Sequence, residues 1–426
     1  MTTYYYPDRR EWTEIIKRPV FDNSQLRDLV SGLLTQIREG GDNVLRELEE
    51  RFDHCKLTDL AVSEKEFDEA ASFIEPTLAD AIRNAYRNIA AFHAAQQTEG
   101  ACVETQPGVK CWQKSIAIDK VGLYIPGGTA PLFSTVLMLA IPAKIAGCGE
   151  IVLCTPPDSE GRVNPAILYA AHVAGVTKVF KVGGVQAIGA MAYGTESVPK
   201  VYKIFGPGNQ FVQMAKQLVS LRDVAIDMPA GPSEVCVVAD ESADPEYVAS
   251  DFLSQAEHGA DSQAILVTDS MSFVARFSSV IDKQLELLHR QELTRKSLEH
   301  SKVILLHDMD EVMDLVNEYA PEHLIINTRA YGNLAQKVRN AGSVFLGPFS
   351  PESAGDYASG TNHTLPTNGY AKAYNGVNLD SYMRKVTFQE ISSDGLRSLG
   401  PVIEVMAAAE QLDAHKNAVS VRLKNL

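Results

Sequence analysis

Histidine, carboxylate and amide side chains recur together in a few short stretches of this sequence. Of its ten histidines, four lie beside carboxylates, amides or loops of glycine and serine: His258, His323, His363 and His415. Imidazole binds metal ions when it is neutral and transfers protons near neutral pH. These residues therefore predict an enzyme site assembled from remote segments of the chain.

Gln255 and His258 are three residues apart in a stretch, 247–258, whose pattern predicts a helix ended by a glycine. Their side chains would share one face near the C-terminal end of that helix, which suits two ligands of one metal ion. The alternative is a histidine that only binds the carbonyls at the helix end. With Asp356 and His415 they form a set of nitrogen and oxygen donors that suits zinc or a related divalent ion.

Glu322 and His323, which follow Pro321, indicate a different kind of chemistry. Adjacent residues on an extended backbone point to opposite sides. A carboxylate and an imidazole placed in this way could divide acid and base work between two reaction steps. The alternative is a solvated pair in a loop with no chemical role.

Two further candidates lie in the last part of the chain. Asp356 is predicted to lie in a long polar loop, 350–363, which follows a strand at 344–346. His415 is predicted on a C-terminal helix that begins after Pro401. The apolar stripe of that helix comprises Val402, Val405, Ala409, Leu412 and Val419. His415 lies on or beside the stripe, so a packed interface histidine is the alternative to a ligand.

The composition indicates a globular protein with more than one domain. A chain of 426 residues, 45% hydrophobic and 22% charged, predicts two or three domains. The formal net charge of -15 argues against a nucleic-acid partner, because binding to phosphates needs a basic surface.

No apolar run approaches a membrane span and no signal peptide is recognisable, so we expect no membrane partner and a cytoplasmic location. The six cysteines contain no C-x-x-C pair and are interpreted as reduced core thiols.

From Lys120 onwards, short apolar strands alternate with helices that end in glycine. The stretches 143–154 and 171–182 each have the pattern of a helix end, a glycine and a buried strand. This alternation predicts an α/β fold with two parallel sheets, each covered by helices on both faces.

Three glycine-rich turns mark possible ligand sites, because open α/β sheets bind ligands at the carboxyl ends of their strands. These turns are at 125–129, 182–186 and 204–209. None of them completes the G-x-G-x-x-G fingerprint, and glycine turns alone are about as often structural as cofactor-binding. A standard dinucleotide-binding turn is therefore not predicted.

Several longer motifs resemble those of the L-histidinol dehydrogenase family. They are SQAEH at 254–258, YAPEHL at 319–324, GSVFLG at 342–347, IFGPGN at 204–209, PAGPSE at 229–234 and the polar stretch 350–363. The resemblance extends from about residue 20 to His415, and the motifs are long and specific.

The resemblance implies a zinc-dependent, NAD-linked enzyme that oxidises L-histidinol through the aldehyde to L-histidine, the last step of histidine biosynthesis. Two NAD would be consumed in each turnover, with one zinc ion per subunit. Glu322 and His323 would be the catalytic acid/base pair, and the zinc ligands would be Gln255, His258, Asp356 and His415. The substrate would also contact Ser233, His323, His363 and Glu410, while NAD would contact Tyr124, Gln186 and Asn209.

The same resemblance implies two incomplete Rossmann-like domains and a homodimer. The first domain would comprise 20–123 and 234–377, the inserted second domain 124–233, and the dimerisation segments 1–19 and 378–426. Glu410 and His415 are five residues apart, about 140° around one helix, so they would not face the same site side by side. The resemblance resolves this geometry by sharing each site between two subunits.

Three alternatives remain. A relative acting on another amino or hydroxy alcohol would keep the metal ligands and change residues such as His363 or Glu410. A zinc hydrolase would use Glu322 and metal-bound water without reducing NAD. A metal or amino-acid sensor would bind its ligand but would not need Glu322 or His323.

Overall fold

The fold is built around two parallel sheets, one of six strands and one of five. The computed structural model describes residues 1–19, 24–127 and 130–426. In spatial order the larger sheet contains Thr2–Tyr5, Lys302–Leu305, Gln263–Thr268, Glu234–Ala239, His323–Asn327 and Ser343–Leu346. The smaller contains Lys178–Lys181, Glu150–Thr155, Lys120–Tyr124, Lys203–Phe205 and Ala225–Ile226. The predicted α/β architecture with two parallel sheets is confirmed.

The two sheets share one topology. Numbered along the chain, the strands of the smaller sheet lie in the order 3-2-1-4-5, and the last five strands of the larger sheet repeat that order. A complete Rossmann fold continues to a sixth strand, so both sheets are incomplete versions of it. Thr2–Tyr5 pairs in parallel with Lys302–Leu305 at the edge of the larger sheet. This part of the predicted N-terminal dimerisation segment is therefore a strand.

Helices cover both faces of each sheet. The α-helices are Trp12–Ile15, Ser24–Phe52, Glu64–Glu69, Pro76–Ala94, Phe133–Ala146, Pro165–Ala174, Gly184–Tyr193, Gln210–Ser220, Pro245–Ala256, Met271–Leu285, Gln291–His300, Met309–Tyr319, Tyr331–Ala335, Glu352–Tyr357, Ser393–Ala409 and Asp413–Leu423. A third, antiparallel sheet comprises Cys102–Gln106, Val109–Ala117 and Met383–Ile391. Among the described residues, no helix is both long enough and apolar enough to cross a membrane.

The local sequence explains where these elements begin and end. Every residue of Glu234–Ala239 is buried, as expected for a strand covered on both faces. Gly147 and Gly175 end their helices in the left-handed conformation, with φ of 90° and 78°. A residue without a Cβ adopts this conformation at little cost, so the predicted glycine stops are confirmed.

The predicted domain boundaries stay a prediction. The helical stretch Ser24–Phe52, which is kinked at Gly41 where φ is 53°, packs on Gly184–Tyr193. Pro76–Ala94 packs on Phe133–Ala146, so both stretches lie against the layers of the smaller sheet. The predicted boundary at residue 20, and two residues of the turn at 125–129, lie outside the described residues.

The C-terminal part differs from its predicted single helix. The first helix, Ser393–Ala409, begins well before Pro401 and contains it. Gln411 then adopts a φ of 60°, and a second helix runs over Asp413–Leu423. The helix prediction was wrong because one proline removes only one backbone hydrogen bond, and packing of the two helices on each other supports the rest.

A buried ion pair fixes the turn after the strand Lys203–Phe205. Lys216 Nζ lies 2.5 Å from Asp227 Oδ1, and both side chains are 1% exposed. Lys216 also donates to Gly206 O at 2.8 Å, while Gly206 N donates to Asp227 Oδ2 at 2.9 Å. Gly206 has a φ of 132°, and a Cβ there would lie 2.1 Å from Tyr124 O. The pair therefore locks a backbone that only glycine can form.

Replacing Lys216 with Met should lower the free energy of unfolding by about 3–5 kcal/mol, because it leaves the Asp227 carboxylate buried without its partner. Urea unfolding would measure the change. As a control, Lys120→Met removes an ion pair with Glu150 that is more exposed, and should lower the free energy of unfolding much less. Equal losses in the two variants would show that burial does not set the contribution of the Lys216 pair.

Candidate active site

The predicted acid/base pair lies at the amino end of the larger sheet. His323 is the first residue of the strand His323–Asn327, and Glu322 immediately precedes it. In the neighbouring strand, Val235 pairs with His323. This is the opposite end from the one where open α/β sheets ordinarily bind ligands, so these residues depart from the rule applied to the glycine turns.

The helix Pro245–Ala256 brings Gln255 and His258 to the same end. Asp244 caps its first turn by accepting from Glu246 N at 2.9 Å. The helix is followed by the strand Gln263–Thr268, so its C-terminal end lies where that strand begins. The Gln255 amide is 1% exposed, and its Nε2 lies 3.4 Å from Glu322 Oε2; in the reversed orientation the amide donates to Glu352 and accepts from Glu234 N. The predicted proximity of Gln255 to the acid/base pair is therefore present in the fold.

Asp356 lies on a short helix, Glu352–Tyr357, where a loop was predicted. A Cβ on Gly355 would lie 2.7 Å from the Phe345 ring, so this glycine lets the helix approach the strand closely. Asp356 Oδ1 lies 3.6 Å from His323 Nε2. The helix escaped prediction because six residues rich in glycine, serine and acidic side chains give too little periodicity.

Glu352 is a site residue that the sequence analysis missed. It is 1% exposed and lies four residues before Asp356, so the two carboxylates share one face of the helix. His258, Glu352 and Asp356 each offer a ligand atom, and these atoms lie within 4.8 Å of one another. Within the described chain they are the one group of at least three such residues close enough to hold a metal ion. The spacing E-x-x-x-D, from Glu352 to Asp356, is the sequence pattern that could have identified Glu352 as a site residue.

The donor set fits a divalent cation. One imidazole and two carboxylates are suitable ligands for zinc and related ions. Three carboxyl groups, from Glu322, Glu352 and Asp356, are gathered around the His323 imidazole. Burial raises the pKa of Glu352, and repulsion from neighbouring carboxylates adds to the rise. A cation at this position would offset that negative charge.

Burial and neighbouring charges also shift the pKa values of the predicted acid/base pair, Glu322 and His323. Burial raises the pKa of Glu322 to about 8. Burial would lower the pKa of His323, but the carboxylates of Glu352, Glu322 and Asp356 outweigh it and raise that pKa to about 10. His323 Nδ1 lies 3.4 Å from Glu234 O and 3.6 Å from Glu322 Oε2, while Nε2 is buried 3.6 Å from Asp356 Oδ1 and has no hydrogen-bond partner among the described residues.

His363 connects this site to the layers of the smaller sheet. Its Nδ1 lies 2.9 Å from Asp356 O, and its Nε2 lies 3.1 Å from Thr135 Oγ1. Thr135 belongs to the helix Phe133–Ala146, which packs on the smaller sheet. The site therefore lies at the junction of the two sheets. Ser233 directly precedes the strand Glu234–Ala239, whose first residue contacts Glu322 and His323.

The fold does not bring Glu410 and His415 to these residues within one chain. Both are exposed, and no described contact joins either of them to the cluster. Glu410 ends the helix Ser393–Ala409 and His415 lies on the next helix, Asp413–Leu423. Glu410 and His415 therefore do not share one helix as predicted, because the chain turns at Gln411 between them, and the angle of about 140° does not apply.

The predicted NAD contacts gather at the carboxyl end of the smaller sheet. Tyr124 ends its strand, and its hydroxyl accepts from Gly184 N at 3.1 Å. Gln186 Nε2 donates to the buried Glu49 at 3.2 Å. Asn209 is exposed and caps the helix Gln210–Ser220. Gly127 and Pro156, at the same end, line a cavity of about 800 Å³ that also contains Asp53.

These features define a class of protein, an α/β enzyme in which a buried glutamate and histidine lie beside a possible metal site. A profile of the histidinol dehydrogenase family matches residues 16–423. The chain is 65% identical over 421 residues to a histidinol dehydrogenase of Bacteroides fragilis, covering 99% of this chain and 98% of that protein. A counterpart in Bacteroides thetaiotaomicron is 62% identical over the same length and coverage.

The crystal structure of histidinol dehydrogenase from Elizabethkingia anophelis matches with a TM-score of 0.97 and 51% identity, covering 100% of this chain and 98% of that one. The chain belongs to the histidinol dehydrogenase family. It is accordingly an oxidoreductase of histidine biosynthesis.

Asp251 gives this site a measurable pH dependence. Its side chain is buried on the helix Pro245–Ala256, and burial raises its pKa from 3.8 to about 7. Between these values the folded chain holds a proton that the unfolded chain has lost, so stability falls as the pH rises through this window and is not recovered above it.

Asp251→Asn removes the ionisable group and keeps an oxygen acceptor. Its stability relative to the unmodified chain should rise between pH 4 and pH 7, by at most about 1.4 kcal/mol per pH unit, and then stay level. Urea unfolding of the metal-free proteins at several pH values would measure the difference. A difference that stays constant over this range would contradict the assignment.

Proposed function

We propose that this chain is a zinc-dependent L-histidinol dehydrogenase that oxidises L-histidinol through L-histidinal to L-histidine, reducing two NAD. The supporting observation is the His323 imidazole, whose Nδ1 lies 3.6 Å from Glu322 and whose Nε2 lies 3.6 Å from Asp356 of a possible metal site, in a chain of this family. The acidic and imidazole groups provide the two bases that the two oxidations need.

His323 suits the first oxidation. If Nδ1 keeps its hydrogen towards Glu234 O, the lone pair of Nε2 is free to accept the proton of the substrate hydroxyl. NAD, when bound, takes the hydride that leaves the same carbon. His323 then carries the proton, and the carboxylates around it stabilise the charged ring.

Glu322 suits the second oxidation. The aldehyde must first add a water molecule, and the carboxylate of Glu322, which lies 3.6 Å from the His323 ring, can remove a proton from that water. The carboxyl of Glu322 is buried and accepts from Glu234 N at 2.9 Å, so its position is fixed. The raised pKa of Glu322 makes it a stronger base than an exposed glutamate.

Gln255, His258, Asp356 and His415 are the residues that we propose as zinc ligands. Zinc bound there would anchor the imidazole and amine nitrogens of the substrate and could polarise its oxygen. Glu352 lies within the same cluster and supplies further negative charge. Because the positive ion would weaken the field of these carboxylates, the pKa of His323 would fall towards the neutral range in which a base is useful.

Substrate binding follows from the charge around the site. Histidinol carries an amine, and Asp356, Glu322 and Glu410 offer negative charge to it. We propose Ser233 and His363 as further substrate contacts, together with the zinc ligands and His323. His363 already has both ring nitrogens engaged, so its orientation is fixed before the substrate arrives.

NAD is proposed to bind at the carboxyl end of the smaller sheet, with contacts to Tyr124, Gln186 and Asn209. The cavity of about 800 Å³ beside this end has the size of a cofactor site. The incomplete Rossmann topology supports this location, since dinucleotides bind where the strand order reverses.

A homodimer would complete the site. The C-terminal helices expose an apolar surface that comprises Val402, Val405, Met406, Leu412 and Val421. Exposed apolar surface of this kind is typical of an interface. His415 and Glu410 lie on these same helices and have no partner in the described cluster. Two copies paired through this surface would allow each to supply His415 and Glu410 to the other, in a cytoplasmic enzyme.

The test of this proposal is NADH formation from L-histidinol, before and after chelation and after zinc is restored. Two NADH per histidine, lost on chelation and recovered with zinc, is the expected result. Activity only with a related amino alcohol would redefine the substrate. Hydrolysis without NADH would favour a zinc hydrolase, and binding without turnover would favour a sensor.

Glu322→Gln should lower histidine formation by about 100-fold while sparing the first oxidation, because only the water-addition step loses its base. Single-turnover measurements would then show about one NADH per site, accompanied by histidinal. Equal losses in both oxidations would contradict this division of labour.

Mixing His415→Asn chains with Glu322→Gln chains should restore roughly a quarter of the activity, because half of the dimers are mixed and each mixed dimer has one intact site. Histidine formation after unfolding and refolding the mixture would measure it. As a control, Glu322→Gln mixed with His258→Asn should recover nothing, since one chain supplies both residues to a site. Absence of recovery in the first mixture would show that sites are not shared.

A further inference from the structure

Arg18, in the N-terminal segment, contacts the first residue of the strand Glu234–Ala239 and the turn that leads into Glu322 and His323. Its guanidinium donates to Glu234 through Nε at 2.5 Å and Nη2 at 2.8 Å. The same Nη2 donates to Tyr319 O at 2.8 Å and reaches Ala320 O at 3.4 Å. Arg18 therefore connects the start of one strand to the chain that leads into Glu322 and His323.

Glu234, which Arg18 binds through its side chain, contacts Glu322 and His323 through its backbone. Its backbone N donates to Glu322 Oε2 at 2.9 Å, and its backbone O lies 3.4 Å from His323 Nδ1. One residue thus holds both members of the acid/base pair by its main chain. Its side chain is held by Arg18 and is almost completely buried, which leaves Glu234 little freedom to move.

The second connection runs through Tyr319 and Ala320. The Tyr319 ring lies under the guanidinium at 4.0 Å, and its hydroxyl contacts Glu234 Oε2 at 3.3 Å and Gln263 Oε1 at 2.9 Å. Ala320 adopts a φ of 52°, a conformation that a residue with a Cβ rarely adopts. The carbonyls on either side of this strained position point to Arg18, so the guanidinium stabilises the turn into Glu322.

We propose that Arg18 is a positioning residue for Glu322 and His323. This inference rests on the proposed function, because it assumes that these two residues act on the substrate. A site at the amino end of a parallel sheet lacks the long loops that follow the carboxyl ends of strands. Arg18 supplies the missing support, since its planar group can bind a carboxylate and two carbonyls at once.

The test compares Arg18→Met with Arg9→Met in the full-length, zinc-loaded enzyme. Arg9 lies in the same N-terminal segment and forms an exposed ion pair with Asp314, so it is a matched control. Arg18→Met should lower kcat for histidine formation by about 10- to 100-fold, the effect expected when catalytic groups shift by about 1 Å. The KM values for histidinol and NAD, and the zinc content, should change less than about threefold, because neither binding site is removed.

Arg18→Lys should recover part of the lost kcat, because an ammonium keeps the charge but cannot bind all three oxygens. If Arg18→Met does not fold, Tyr319→Phe provides the second test. It removes the hydroxyl contact to Glu234 and keeps the ring beneath the guanidinium, so a smaller decrease in kcat is expected.

A folded Arg18→Met enzyme with unchanged kcat, or a folded Tyr319→Phe enzyme with unchanged kcat where Arg18→Met is insoluble, would overturn the inference. A decrease confined to thermal stability would do the same, since Arg18 would then be only a structural anchor. Failure of the unmodified enzyme and of Arg9→Met to form NADH would instead reject the proposed function.

Discussion

The amino end of the larger sheet buries more negative charge than it neutralises. Glu234, Glu322 and Glu352 are nearly inaccessible to solvent, and Asp356 lies beside them. Arg18 and His323 form ion pairs with members of this group. Burial of a charge without a partner is costly, so the remaining carboxyls hold protons or require a cation. The raised pKa of Glu322 and the suitability of this cluster for a metal ion have the same origin.

This charge explains why the support of the site is as important as its reactive groups. Glu234 receives its counterion from residue 18, although its own backbone contacts Glu322 and His323. Carboxylates that repel one another would separate if the chain allowed it. The extended strands and the contacts of Arg18 prevent this, so the field around His323 is maintained by the fold.

The repeated topology separates two tasks that one Rossmann fold usually combines. The smaller sheet keeps its glycine turns at the carboxyl end, where a dinucleotide is expected to bind. The larger sheet has Glu322 and His323, the proposed acid/base pair, at its amino end. His363, which contacts Thr135 of the other layer, connects the two sheets. Under the proposed function, which needs both NAD and these bases, the reaction would take place where the two sheets meet.

The sequence by itself determined the fold class, because alternating apolar strands and glycine-ended helices are local patterns. It also indicated Glu322, His323, Gln255, His258 and Asp356, whose residue types carry the chemistry. Only the tertiary structure revealed Glu352 and Arg18, since their importance depends on contacts between residues far apart in the chain. It also decided that Glu410 and His415 lie on separate exposed helices, because a backbone turn at Gln411 is set by the packing of those helices on each other.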